Sequence, residues 1–173
     1  RLGVPFYLHP RLPLARDARS YDGHPWLYSP AWAFGQETAT HALRLMASGL
    51  FEDCPGVQVI LGHLGEGLPA CLWRLDHATD WMWREHAPRH AARRGFTQTM
   101  RTNFHLTTSG NLSTPVLRMA IEILGAQRVL FSTDWPFEEI SAAARWFDAA
   151  PLDEDTRRLI GRDNARVLLR LPA

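Results

Sequence analysis

Short apolar runs along this chain are each followed by a longer stretch in which apolar residues recur every three to four positions. Val4–Leu8 and Val57–Leu61 read as strands. The second is almost uniformly apolar, the pattern of a strand covered on both faces. Asn103–Thr108 and Val129–Ser132 read as two more. Between and after them lie helical patterns. Glu37–Phe51 carries Ala39, Ala42, Leu43, Leu45, Met46 and Leu50, and Cys54-Pro55-Gly56 ends it. Leu68–Arg84 has Pro69 near its first turn, and a third helix starts after Ser113, with Pro115 just inside and Gly125 just past its end. Ile140–Ala149 and Glu154–Leu171 complete the set, the last with a break near Gly161-Arg162-Asp163. Strand then helix, four times over, predicts right-handed crossovers and a parallel sheet.

Two segments escape this rhythm. Arg11 to Gly35 reads as a long loop, rich in Pro and in aromatics (Tyr21, Trp26, Tyr28, Trp32, Phe34). Such a loop either covers a pocket or packs on the surface. His86–Arg101, with Arg89, Arg93, Arg94 and Arg101, reads as a solvated basic face.

At 173 residues, 46% hydrophobic and 21% charged, the chain suits one soluble globular core. A formal net charge of +1 leaves no electrostatic footprint for nucleic acid or an acidic membrane surface. All 19 basic residues are Arg, which excludes a lysine-based mechanism within this chain. Cys54 and Cys71 fall outside any CxxC spacing, so reduced, mostly buried thiols are expected rather than a disulfide framework or a cysteine zinc site. Nothing approaches the ~20 apolar residues of a membrane span, and no signal peptide opens the chain; the expected setting is cytoplasmic. Four parallel strands cannot close a barrel of eight. Arg1-Leu2-Gly3-Val4-Pro5 leads into a strand without an initiating Met. Residues 1–173 are therefore expected to be part of one barrel domain lacking its N-terminal strands, the alternative being a small open α/β sheet.

Three apolar runs end in groups that bind metal or move protons: His9, His63 and Asp134. In a parallel α/β barrel the carboxyl ends of strands carry the chemistry. Imidazole and carboxylate suit Zn²⁺ or Mn²⁺, although a single histidine after a strand is more often a hydrogen-bonded structural group. Glu66 follows His63 across a glycine-rich turn, where it either orients the imidazole and raises its pKa or caps the next helix. Arg74, about two turns into that helix, either reaches an acidic substrate group or makes a surface ion pair. Asp134 must be paired, hydrogen-bonded or metal-bound if buried, and a turn aspartate reads equally well beside Pro136. Asn103, His105, Thr107, Thr108 and Ser109 decorate another strand without a chemistry assignable to each.

Tyr7-Leu8-His9-Pro10, Gly62-His63-Leu64-Gly65-Glu66-Gly67-Leu68-Pro69, Trp73-Arg74-Leu75-Asp76-His77, Asn103-Phe104-His105-Leu106-Thr107-Thr108-Ser109-Gly110 and Leu130-Phe131-Ser132-Thr133-Asp134-Trp135-Pro136-Phe137-Glu138 together resemble the amidohydrolase superfamily. The likeness is to its amidohydrolase 2 branch and, within it, to the γ-resorcylate and 2,3-dihydroxybenzoate decarboxylases. The resemblance implies the C-terminal half, strands five to eight, of a metal-dependent hydrolase-type TIM (β/α)8 barrel. It implies one divalent metal (Zn or Mn, or Mg) held by His9 and Asp134, a catalytic pair His63–Glu66, and Arg74 as a charged pocket residue. The implied activity is non-oxidative decarboxylation of a small hydroxylated aromatic acid, with Asp134 the favoured donor of the proton to the ring carbon, in an enzyme that is a homo-oligomer at full length. The family's N-terminal metal motif is absent from this chain. Two alternatives stay open: hydrolysis of a lactone or amide, and an inactive half-barrel that needs its other half.

Overall fold

Four short strands, β1 (Phe6–Leu8), β2 (Val59–Leu61), β3 (Phe104–Thr107) and β4 (Val129–Leu130), form one parallel sheet in the order β1-β2-β3-β4. The computed structural model describes residues 3–86 and 92–172. Each strand pairs with the next in sequence through a helical crossover. This is the arrangement expected for half of an eight-stranded α/β barrel.

Register places Tyr7 beside Ile60 and Ile60 beside His105, and Leu8, Leu61, Leu106 and Val129 in another row. Side chains alternate along a strand, so the two rows occupy opposite faces. The Leu8–Val129 row, with Val59 and Phe104, belongs to the core, where the helices cover it. Those helices are α1 (Ala33–Ala47), α2 (Leu50–Asp53), α3 (Leu68–His86), α4 (Phe96–Asn103), α5 (Thr114–Leu124), α6 (Ile140–Ala149), α7 (Glu154–Arg158) and α8 (Asn164–Leu169). Met46, Phe51, Leu72, Met100, Leu117, Phe147 and Ile160 form their side of the core. Each such side chain contributes ~1.5–3 kcal/mol on burial.

Differences from the sequence expectation have local causes. α1 starts at Ala33 rather than Glu37, and short 3₁₀ turns at Ala15–Tyr21 and Pro25–Leu27 interrupt the aromatic loop. α4 begins inside the segment read as a solvated basic face and runs two residues past it; residues 87–91 of that segment lie outside the described residues. Its buried residues Phe96, Thr99, Met100 and Asn103 follow helical spacing. Its N-terminus is capped from a distance, because the Asp76 carboxylate on α3 accepts the backbone N–H groups of Phe96 and Thr97. Asn103, read as the start of a strand, ends α4 and donates to the Pro55 and Val57 carbonyls. The break expected near Gly161 is a widened π-type turn, Leu159–Asp163. There the Ile160 carbonyl accepts the Phe131 N–H just past β4. Both cysteines are exposed, contrary to the expected burial. Cys54 sits in the break after α2, and Cys71 lies on a face of α3 that borders a cavity. No described helix is long and apolar enough to cross a membrane.

Candidate active site at the carboxyl ends of the strands

Beyond β2 the backbone turns through five successive left-handed residues: His63 (φ 52), Leu64 (54), Gly65 (85), Glu66 (55) and Gly67 (77). Asp134, beyond β4, is left-handed as well (φ 70). A residue with a Cβ pays roughly 1–2 kcal/mol for this conformation, so the turn must be held from outside. His63 N–H donates to Ser109 O (3.1 Å), Leu64 N–H to Thr107 O (2.8 Å), and the Asn111 amide to His63 O (3.2 Å). Leu64 is fully buried beneath it. Strained residues gathered at one place mark functional sites.

The turn throws His63 and Glu66 together. His63 Nδ1–H donates to Glu66 Oε1 at 2.7 Å, and His63 Nε2 faces Asp134 Oδ2 at 3.6 Å, an ion-pair distance. Glu66 is the most enclosed of the three, its side chain 6% exposed against 28% for His63 and 23% for Asp134. The Glu66 hydrogen bond raises the His63 pKa above its ordinary 6.5, burial opposes it, and the charges of Glu66 and Asp134 add to the rise. His63 is thus held as a proton carrier between two carboxylates. Gly110 packs against this contact: a Cβ there would stand 2.5 Å from His63 Cδ2 and 3.0 Å from Asp134 Oδ2.

On the Glu66 side lies a cavity of about 650 Å³, lined by Trp32, Phe34, Leu43, Cys71 and Asn111 among others. That volume suits a small ligand. The aromatic loop contributes Trp32 and Phe34, whereas Trp26 packs edge-on against His24 and stays exposed.

His9 directly follows β1. Its Nδ1–H donates to Pro10 O at 2.9 Å, which leaves Nε2 as the ring nitrogen that would meet a metal. Imidazole nitrogen and aspartate oxygen suit a divalent ion such as Mn²⁺ or Zn²⁺, so His9 and Asp134 fit the donor set implied for them. Among the described residues, no group of three or more His, Cys, Asp or Glu could hold a metal. Arg74 is not part of the cluster: it is exposed on α3 and is not among the residues lining the cavity.

Sequence reasoning missed the scaffolding. Tyr7 Oη lies 3.2 Å from Thr107 Oγ1, which lies 2.6 Å from Ser109 Oγ. Thr108 Oγ1 donates to Ser132 O and accepts the Ser132 N–H, tying the ends of β3 and β4. The hydroxyl-rich run Thr107-Thr108-Ser109 carried that signal. His105, in the same strand, belongs to the opposite end of the sheet.

Residues 1–171 match the family model described as amidohydrolase (Amidohydro_2). The chain belongs to this amidohydrolase family. A gamma-resorcylate decarboxylase of Rhodococcus jostii (strain RHA1) is 57% identical to this chain over 171 residues, 99% of this chain and 51% of that protein. The crystal structure of 2,6-dihydroxybenzoate decarboxylase from Rhizobium matches with a TM-score of 0.92 at 58% identity, over 98% of this chain and 52% of that one. A dihydroxybenzoic acid decarboxylase from Polaromonas sp. JS666, solved with manganese and the inhibitor 2-nitroresorcinol, matches with a TM-score of 0.92 at 55% identity, over 98% and 51%. The chain spans about half the length of the curated relatives it matches, and its parallel sheet of four strands fits half a TIM barrel.

Proposed function

We propose that this chain forms strands five to eight of a barrel, residues 1–173 being one part of that domain, and that the closed barrel decarboxylates a hydroxylated benzoic acid such as 2,6-dihydroxybenzoate. The observation that carries the reading is His63 standing between Glu66 and Asp134 at the carboxyl ends of the strands. The likeness to decarboxylases of dihydroxybenzoates, one solved with manganese, supports it.

His9 and Asp134, with further ligands from the other strands, would hold a divalent cation, which would supply positive charge to stabilise the substrate's carboxylate. The chain's own residues manage the proton. Glu66 holds the His63 imidazolium by its Nδ1–H. His63 Nε2 faces Asp134 and replaces the proton that Asp134 gives to the ring carbon bearing the carboxylate. The bond from that carbon to the carboxylate then breaks, its electron pair restores the aromatic ring, and carbon dioxide leaves. One proton is consumed for each carbon dioxide released. Trp32 and Phe34 form apolar wall in the adjoining cavity. Arg74 remains proposed as a charged pocket residue of the assembled enzyme that reaches an acidic substrate group. A homo-oligomer in the cytoplasm is proposed for that enzyme. The 173-residue chain alone is proposed to be inactive, since no metal-holding group of three or more ligands forms among the described residues.

Product analysis tests the reaction. The complete protein, given Mn²⁺ and 2,6-dihydroxybenzoate, should yield carbon dioxide and resorcinol in equal amounts. No turnover of hydroxybenzoates, with hydrolysis of a lactone or amide instead, would overturn the reading in favour of a hydrolase. A soluble, cooperative 173-residue monomer that bound metal tightly would count against the need for the other half.

A further inference from the structure

At the opposite end of the sheet from His63, three polar side chains gather at a cavity that α8 also lines. Gln58 precedes β2, His105 lies within β3 in register with Ile60, and Arg128 precedes β4. They are bonded to one another. Arg128 Nη1 donates to Gln58 Oε1 at 3.0 Å and lies 3.0 Å from His105 Nε2. The Gln58 amide nitrogen donates to the Val57 and Thr102 carbonyls, which fixes its oxygen toward Arg128. His105 Nε2 also lies 3.2 Å from Gln58 Oε1, so it accepts from Arg128 or donates to Gln58 according to the ring's tautomer. Its Nδ1 is buried and has no hydrogen-bond partner among the described residues. The residue as a whole is 8% exposed. Burial and the Arg128 charge keep the imidazole neutral by lowering its pKa to about 4.

The charge is unbalanced too. Arg128 pairs with no carboxylate among the described residues. It borders a cavity of about 610 Å³ whose lining includes Arg170, Asn164 and Gln127 but no Asp or Glu. Burial already lowers the guanidinium pKa. An unpaired charge costs several kcal/mol when it is taken out of water, and a closed barrel has a filled interior. Such an interior would enclose Arg128 further and leave it, as the chain stands, with no anion.

We propose that the strands closing this barrel present a carboxylate to Arg128, so that an acid of the first half and the Gln58–His105–Arg128 cluster of this half form one buried ion-pair network across the seam. Charge complementarity selects this occupant. An apolar layer would bury the guanidinium unpaired, and a second basic group would add repulsion. The network sits at the amino-terminal ends of the strands, so its role is to align and hold the two halves. The proposal rests on the half-barrel reading above and not on the reaction.

A double-mutant cycle in the complete protein tests it. Arg128→Gln is combined in turn with Asp→Asn or Glu→Gln at each acid of the first four strands, and the unfolding equilibrium is measured by urea denaturation. One acid should couple to Arg128 by about tenfold or more in the unfolding constant, so that its neutralisation costs little once Arg128 is gone. If Arg128→Gln fails to fold, Arg128→Met, which removes the charge but keeps an apolar stem of similar length, enters the same cycle with the same expectation. Additivity at every acid would overturn the proposal. So would stabilisation by sulfate that Arg128→Gln abolishes, because it would show a free anion in the socket. The cycle reads stability alone: additivity in a protein that does release carbon dioxide sinks this inference and leaves the proposed activity standing.

Discussion

Replacing Gly110 with Ala should separate the cost of strained backbone from the cost of crowding His63 and Asp134. Gly110 has φ +61, where any Cβ is strained, and its Cβ would stand 2.5 Å from His63 Cδ2 and 3.0 Å from Asp134 Oδ2. Carbon atoms prefer about 3.5–4.0 Å, so the His63 ring must retreat by roughly 1 Å. It has little freedom to do so, because its Nδ1 is held at 2.7 Å by a Glu66 side chain that is itself enclosed. Gly67 supplies the control. It has φ +77, and a Cβ there meets nothing within 4 Å. Gly67→Ala should therefore cost only the left-handed strain, about 1–2 kcal/mol. Gly110→Ala should add an overpacking cost of about 1–3 kcal/mol. At about 2–4 °C per kcal/mol for a domain of this size, thermal unfolding resolves the two. In the complete enzyme, a catalytic group misplaced by about 1 Å should cost about a hundredfold in kcat, while Gly67→Ala should stay within about threefold of the parent. Equal effects of the two substitutions on stability and on turnover would refute the reasoning.

Glu66→Gln keeps the shape of the pair but removes the charge that favours His63 protonation; kcat should fall by roughly tenfold to a hundredfold with folding intact by circular dichroism. Asp76→Ala strips the cap from α4 and should cost about 1–2 kcal/mol in urea denaturation, with Asp76→Asn recovering most of it. Trp32→Ala should raise KM, because Trp32 lines the cavity beside His63, whereas Trp26→Ala should not. The Asp153 carboxylate accepts from the Thr156 N–H and hydroxyl, which lowers its pKa from 3.8. Its depressed folded-state pKa adds stability above the unfolded value that is lost as pH falls through the folded one. The stability gap between the parent and Asp153→Asn should accordingly shrink between pH 5 and pH 2.

The alternation of strand and helix was legible because burial on one or both faces writes a period into the chain, and β2, α3, α5 and α6 lie where that period puts them. The strand-end positions of His9, His63 and Asp134 were legible for the same reason. Long-range partners were not. α4 depends on an Asp76 that precedes it by about twenty residues, and no local pattern announces a cap supplied from another helix. The contact of His63 with Asp134 joins the ends of β2 and β4, and the left-handed turn that makes it possible uses His63, Leu64 and Glu66, residue types that give no warning of positive φ. The exposed cysteines went against the usual burial of thiols because Cys54 stands in a loop break and Cys71 faces a cavity. Strand propensity also hid the split within β3, whose hydroxyls brace the candidate site while His105 serves the far end of the sheet.

The most direct measurement is carbon dioxide release from 2,6-dihydroxybenzoate by the complete protein, compared with its Asp134→Asn and His63→Gln variants under single-turnover conditions, each shown to be folded by its thermal transition. Resorcinol and carbon dioxide should form in equal amounts from the parent, with losses of at least about a hundredfold in both variants. Folded variants that turned over at the parent's rate would contradict the proposed roles of both residues.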